Sequence, residues 1–226
     1  METKNNKNIT PIYMILGVIF TSCLLISNIV SSKLVQLGPW SITAAVIIFP
    51  LSYIIGDIMT EVYGFKAARR VMWLGFAMNF MMVILFTIVV MAPAPVWYEH
   101  SEAYATVLGN TPRLFIASMA AYIVGYWVNA VILSKLKVKT DGKHFGVRAI
   151  ISTFFGELAD SLIFVPLGFL GQMPFEELVK MLILQVTFKT AYEIVILPIT
   201  SKVVKKIKEI DGIDVTDYDE EYKLFG

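Results

Sequence analysis

The stretch KAARRVMWLGFAMNFMMVILFTIVVM, residues 66–91, sets the class of this chain: three cations fall in its first five positions, and the 21 residues from Val71 to Met91 carry no charge. An α-helix crosses the roughly 30 Å hydrocarbon core of a bilayer with about 20 apolar residues, so the run predicts a membrane span with Lys66, Arg69 and Arg70 at one mouth. Five further stretches come near that length: Pro11 to Val30, Ile42 to Ile58, Leu114 to Leu133, Val147 to Leu170 and Leu178 to Val204. They are continuous, whereas a transmembrane barrel shows segments of about 10 residues alternating in polarity. Helices satisfy their own backbone in lipid. Of the 226 residues 57% are hydrophobic and 16% charged, against about 25% charged in a soluble domain. The expected fold is an all-α integral membrane protein, a six-transmembrane-helix bundle.

Orientation follows from the basic residues in the connections, which stay on the cytoplasmic side during insertion. One alternating set holds Lys4, Lys7, Lys66, Arg69, Arg70, Lys135, Lys137, Lys139, Lys143, Arg148, Lys202, Lys205, Lys206, Lys208 and Lys223. The other holds Lys33, Arg113 and Lys180, which makes 15 against 3. The alternation runs without a violation, so the chain is expected as a multi-pass protein of the inner (cytoplasmic) cell membrane with N-in and C-in. Trp40, Trp97, Tyr98 and Tyr104 at the outer ends, with Tyr63 and Trp73 near an inner one, suit the lipid–water interface. Residues 1–204, including a short polar tail 1–10, read as one membrane domain. Residues 205–226 read as a cytoplasmic C-terminal tail, a solvated extension with little structure.

The net charge of +1 gives no ground for a nucleic-acid partner. Cys23, the single cysteine, lies in an apolar segment, so neither an intramolecular disulfide nor a cysteine-based metal site is available. The apolar stretch after residue 10 is too long for a signal-peptide core and lacks a small-residue cleavage site, so it is expected as a retained first span.

Against this background the polar groups inside the spans stand out. An ionisable group at mid-bilayer costs about 2.5–3.5 kcal/mol even on the lenient insertion scale, so each needs a partner or a use. Asp57 and Glu61 share a face of the second span, Glu157 and Asp160 a face of the fifth, and Lys189 and Glu193 a face of the sixth. Asn28 and Asn129 sit late in the first and fourth. If those faces point inward, one interior collects carboxylates, amides and a lysine around a polar cavity. Structural readings compete. Lys189 and Glu193 at i,i+4 would neutralise each other, and Asp57 and Glu61 could be solvated or paired with Arg69 and Arg70. Glu157 and Asp160 repel each other and need a cation, a ligand or a proton. Replacing Asp57 by Asn, Glu157 by Gln or Asp160 by Asn is expected to impair ligand binding in each case.

Ala117, Ala121 and Gly125 lead at four-residue intervals to Asn129, a small-residue stripe for close packing within the bundle or in a homodimer. Tyr122, Tyr126 and Trp127 nearby could stack on a flat ring. Asn28 and Asn129, then Gly56-Asp57 and Gly156-Glu157, recur roughly a hundred residues apart, as two inverted three-helix repeats would make them.

The segment from Phe49 to Arg70, FPLSYIIGDIMTEVYGFKAARR, resembles the signature of the queuosine precursor transporter family, the YhhQ or vitamin-uptake-transporter type. Ser27-Asn28 with Lys33, and GELADS at 156–161, look like its other landmarks, and the likeness runs from about Tyr13 to Val203. The resemblance implies uptake of 7-deazaguanine compounds for tRNA modification: the 7-cyano and 7-aminomethyl bases, or queuine. A guanine-like edge offers adjacent N–H donors that a carboxylate accepts as paired, charge-assisted bonds. Asp57, Glu61, Glu157 or Asp160 could supply it, Asn28 or Asn129 the remaining positions, and an aromatic such as Tyr126 the stacking face. Lys189 and Glu193 complete the expected site, with no cofactor or metal. No phosphate loop accompanies these residues, so transport is expected to be passive, ion-coupled or driven by another subunit.

Two other readings compete with a self-sufficient carrier. The six-helix size is similar to the substrate-binding subunits of energy-coupling-factor importers. An intramembrane enzyme could use Glu157 and Asp160 as acid and base or around a divalent metal, although His100 and His144 are the only histidines and both lie in loops.

Overall fold

The computed structural model describes residues 10–31, 33–38, 40–109, 112–171 and 174–224. Six segments among them are helical, long and apolar enough to cross a membrane. Helix α1, Pro11–Val30, starts where the Thr10 hydroxyl accepts from the Tyr13 amide at 3.1 Å and Pro11 takes the first helical position. A 3-10 turn, Ala44–Ile47, leads into α2, Phe49–Tyr63, and α3 is Phe65–Met91. After a short helix α4, Ser101–Leu108, come α5, Pro112–Lys139, α6, Phe145–Phe169, and α7, Phe175–Asp211. Several run past their apolar cores, α7 well beyond Val204. The added turns are rich in lysine, a good helix former whose long side chain reaches polar surroundings.

Two of the connections are more ordered than the sequence suggests. Between α1 and the 3-10 turn, β1, Leu34–Leu37, pairs antiparallel with β2, Trp40–Thr43, placing Leu34 opposite Thr43. Gly38 supplies the positive φ of the turn, +60°. Between α3 and α5 the chain forms α4, and Trp97, Tyr98 and Tyr104 are exposed there. The side chains of Trp40 and Arg113, and Lys4 and Lys7 with the rest of residues 1–9, lie outside the described residues.

Unlike a soluble protein, the bundle turns large apolar side chains outward as well as inward, and its apolar core also encloses charged groups. Ile15, Val18, Ile84, Ile88, Phe155, Leu162, Ile183 and Val195 face outward, while Asp57, Glu61, Asn129, Arg148, Glu157, Asp160, Lys189 and Glu193 are buried. That arrangement suits lipid outside and polar contacts between helices.

The small-residue stripe is used inside the chain. Helices α5 and α6 pack closely, and Ala117 and Ala121 are buried. A Cβ built on Gly156 would stand 2.7 Å from the Asn129 Cβ and 2.9 Å from the Gly125 carbonyl oxygen. Backbone cannot withdraw as a side chain can. Gly156→Ala is therefore expected to cost about 1–3 kcal/mol by overpacking, read as a lowered midpoint of thermal unfolding in detergent.

The C-terminal residues depart from expectation. Instead of a solvated extension, residues 212–224 fold back over the end of the bundle that carries the lysine-rich helix termini, its basic end. The Val215 amide donates to the Val62 carbonyl at 3.0 Å, Asp217 accepts from the Phe65 amide at 2.9 Å and from Ser134 at 2.6 Å, and the Trp73 indole donates to the Leu224 carbonyl at 3.0 Å. Gly64, the single residue between α2 and α3, has φ +84°, and a Cβ there would meet Val215 at 2.7 Å and Asp217 at 2.8 Å. Glycine serves both the turn and the strap. The acidic tail is held because it meets the basic end. Burial pushes the Asp214 carboxyl up, but hydrogen bonds and charge from Lys137 and Lys208 outweigh it and leave the group below the usual carboxylate range. This attachment is therefore complete above the ordinary aspartate range and is lost only as pH falls through the lowered value.

Candidate functional site

A cavity of about 270 Å³ lies among α1, the 3-10 turn, α2, α3, α5, α6 and α7. It is close to the lower end of the roughly 300–1,000 Å³ usual for small-molecule sites. One end of it reaches Ser31, Thr43, Leu108 and Phe169, at the pole of the bundle opposite the basic end, and the other reaches Asp160 and Lys189. Gln185, Asn28 and Ser118 add polar walls, and Phe49, Phe86, Phe164 and Phe169 add aromatic ones.

Its inner end has a defined charge geometry. Lys189, on α7, places its ammonium 2.6 Å from Glu157 Oε2 and 3.2 Å from Asp160 Oδ2, both on α6, and 4.3 Å from the centre of the Phe49 ring. The ammonium thus bonds across the helix interface and not to Glu193 one turn further along α7. The i,i+4 pairing that the sequence suggests gives way to a cation shared by the two repelling carboxylates. Glu157 Oε1 and Glu193 Oε1 are buried without a hydrogen-bond partner. Asn28 is partly committed: its amide nitrogen donates to the Leu24 carbonyl at 3.2 Å and its oxygen accepts from Ser118 at 3.2 Å.

Of the nine residues expected at the site, Asn28, Asp160 and Lys189 line this cavity. Glu157 is joined to it through Lys189. Asp57 lies deeper, accepting from Asn129 Nδ2 at 2.5 Å and from the Thr153 hydroxyl at 3.4 Å. Tyr126 is packed away among Phe20, Tyr53 and Tyr122, with ring centres 5.3, 6.4 and 6.0 Å distant.

Glu61 belongs to another network, at the basic end. Arg148 reaches it with two bonds, 2.6 Å to Oε2 and 3.1 Å to Oε1, and Lys208 reaches Oε1 at 2.7 Å. Lys137 stands 3.7 Å away and donates to the Glu61 backbone carbonyl at 2.5 Å. Asp214 of the tail accepts from Lys137 at 2.5 Å and pairs with Lys208 at 2.9 Å. The sequence places Glu61 either at the ligand or beside Arg69 and Arg70. Its partners come instead from α5, α6 and α7, and with three cations on one carboxylate it has little accepting capacity left for a ligand.

Sequence reasoning misses Gln185, Phe49 and Phe164 in the cavity wall. A signal exists for Gln185, an amide in an apolar run one helical turn before Lys189 and hence on its face. None exists for the phenylalanines, since phenylalanine in a span is ordinary. Among the described residues no group of three or more His, Cys, Asp or Glu side chains is placed to hold a metal ion.

The family described as "Putative vitamin uptake transporter" matches residues 43–203, which include Asp57, Glu61, Asn129, Glu157, Asp160, Lys189 and Glu193. A protein of Bacillus subtilis (strain 168) named "Probable queuosine precursor transporter" is 26% identical over 180 residues, covering 76% of this chain and 76% of that protein. No solved structure matches the chain.

Proposed function

The chain belongs to the vitamin uptake transporter family, and on that basis we propose that it imports queuosine precursors, 7-deazaguanine bases such as the 7-cyano and 7-aminomethyl compounds or queuine. The observation that carries the reading is the meeting of Asp160, Lys189 and Gln185 at the inner end of a cavity walled by phenylalanine. A guanine-like edge presents a ring N–H and an amino group side by side, which the Asp160 carboxylate can accept as a pair. The Lys189 ammonium can donate to the neighbouring carbonyl oxygen, Gln185 or Asn28 can serve the remaining polar atoms, and Phe49 or Phe164 can cover a ring face. The name of the Bacillus subtilis relative supports the same substrate class.

In this reading the protein sits in the cell membrane with its basic end and both termini on the cytoplasmic side. The strap and the Glu61 network close that side while the cavity opens to the other. Glu157, Asp57 and Asn129 support the site from behind, Glu193 stands apart from the cavity wall, and Glu61 holds the closed end.

Reconstitution of the purified chain in liposomes with labelled 7-cyano-7-deazaguanine tests the proposal. Entry of the unchanged base into the lumen is expected. Binding without entry would make the chain the capture subunit of a larger importer, and a chemically altered product would make it an enzyme.

A further inference from the structure

Between the cavity and the Glu61 network the core holds four buried carboxylates: Asp57 on α2, Glu157 and Asp160 on α6, and Glu193 on α7. Among the described residues one ammonium faces them, that of Lys189. Arg148, Lys137 and Lys208 are taken up by Glu61 and Asp214. If all four carboxylates were ionised, three negative charges would stand uncompensated in the middle of a membrane, which is the costly arrangement that protonation removes.

The hydrogen bonds show which of them is least equipped to be an anion. Glu157 and Asp160 have Lys189, and Asp57 has the donors of Asn129 and Thr153. Glu193 Oε1 is buried with no partner, on a side chain 1% exposed and within Coulombic reach of Asp57 and Glu157. Among the described residues, the elements packed against α7 bring it no spare cation. Helix α2 carries Asp57, Glu61 and the neutral phenols of Tyr53 and Tyr63, the latter bonded to Asp211. Helix α6 carries Glu157, Asp160 and an Arg148 already bound to Glu61, and β2 and the 3-10 turn carry no titratable side chain.

We propose that the chain moves its substrate together with a proton and that Glu193 is the residue that carries it; the inference rests on the carrier reading above. A ligand that engages Asp160 takes one of the two carboxylates from Lys189. The ammonium, still bonded to Glu157 and donating to the ligand's carbonyl oxygen, then has its third N–H for Glu193, one turn away on the same helix face. An ion pair between the two expels the proton from the Glu193 carboxyl to water at the basic end as that end opens, so proton and substrate travel in the same direction.

The test uses the full chain in liposomes with labelled 7-cyano-7-deazaguanine, which is uncharged. With the lumen alkaline, the wild type is expected to accumulate the base above its outside concentration. Glu193→Gln is expected to lose that accumulation at least tenfold while still exchanging labelled for unlabelled base without a gradient. Accumulation by Glu193→Gln that still follows the pH gradient, or wild-type accumulation that follows sodium and ignores pH, overturns the proposal. If the wild type neither takes up nor exchanges the base, the carrier reading itself has failed. Infrared spectra of the membrane-embedded protein then decide the proton question without any substrate. A carboxylic-acid carbonyl band that disappears in Glu193→Gln supports the assignment, and an unchanged spectrum overturns it.

Discussion

Glu61→Ala is expected to destabilise the protein by about 3–5 kcal/mol, the range found when one partner of a buried ion pair is removed. The residue is 1% exposed and accepts both guanidinium bonds from Arg148, which is itself 1% exposed. Without it Arg148 keeps the Lys143 and Gly142 carbonyls, at 2.9 and 3.1 Å, but no carboxylate. Lys137 and Lys208 retain Asp214, so the loss falls on the arginine. Since folded proteins are stable by only about 5–15 kcal/mol, much of the margin would go. The check is thermal unfolding in detergent of Glu61→Ala beside the double replacement Glu61→Leu with Arg148→Met. The double variant, which leaves no guanidinium stranded, is expected to recover most of the loss. Wild type and both variants unfolding at one temperature would show that the network contributes nothing to the fold.

Asp160→Asn is expected to weaken binding of a 7-deazaguanine base roughly 10- to 150-fold, the equivalent of about 1.5–3 kcal/mol for hydrogen bonds to a charged group. The variant should still insert and remain monodisperse, because Lys189 keeps its shorter bond to Glu157. Glu157→Gln is expected to weaken binding less, by releasing Lys189 from its position. Asp57→Asn, whose carboxylate does not line the cavity, is expected to do least. Equilibrium binding of labelled base to the three purified variants measures the order. An effect of Asp57→Asn as large as that of Asp160→Asn would move the site deeper into the bundle than the cavity that Asp160 lines.

Several of these residues are legible from hydropathy and spacing. The acidic and amide positions of the spans announce themselves because lipid makes them costly, whatever their neighbours. Membership of the vitamin uptake transporter family is legible from the 49–70 segment, and the family match spans residues 43–203. Legibility fails where a partner is distant along the chain. Glu61 and Arg148 are 87 residues apart, and Lys189 and Glu157 are 32 apart. No periodicity relates such pairs, and the nearer candidates, Arg69 and Arg70 for Glu61 and Glu193 for Lys189, are the natural local choices. The tail misleads for a related reason. Its acidic composition reads as solvated when considered alone, and only the basic surface it meets gives its charges fixed partners.

The order of amino acids was enough to establish the spans and the identity of the polar groups within them, because hydropathy and helical spacing are local properties of a chain in lipid. Which carboxylates face the cavity, which are saturated by cations from other helices, and where the C-terminal strap lies emerged only from the packed bundle. Those outcomes depend on which helix faces meet. That is set by close packing at positions such as Gly125 and Gly156, where backbone approaches backbone and fixes the distance over which every buried charge must find its partner.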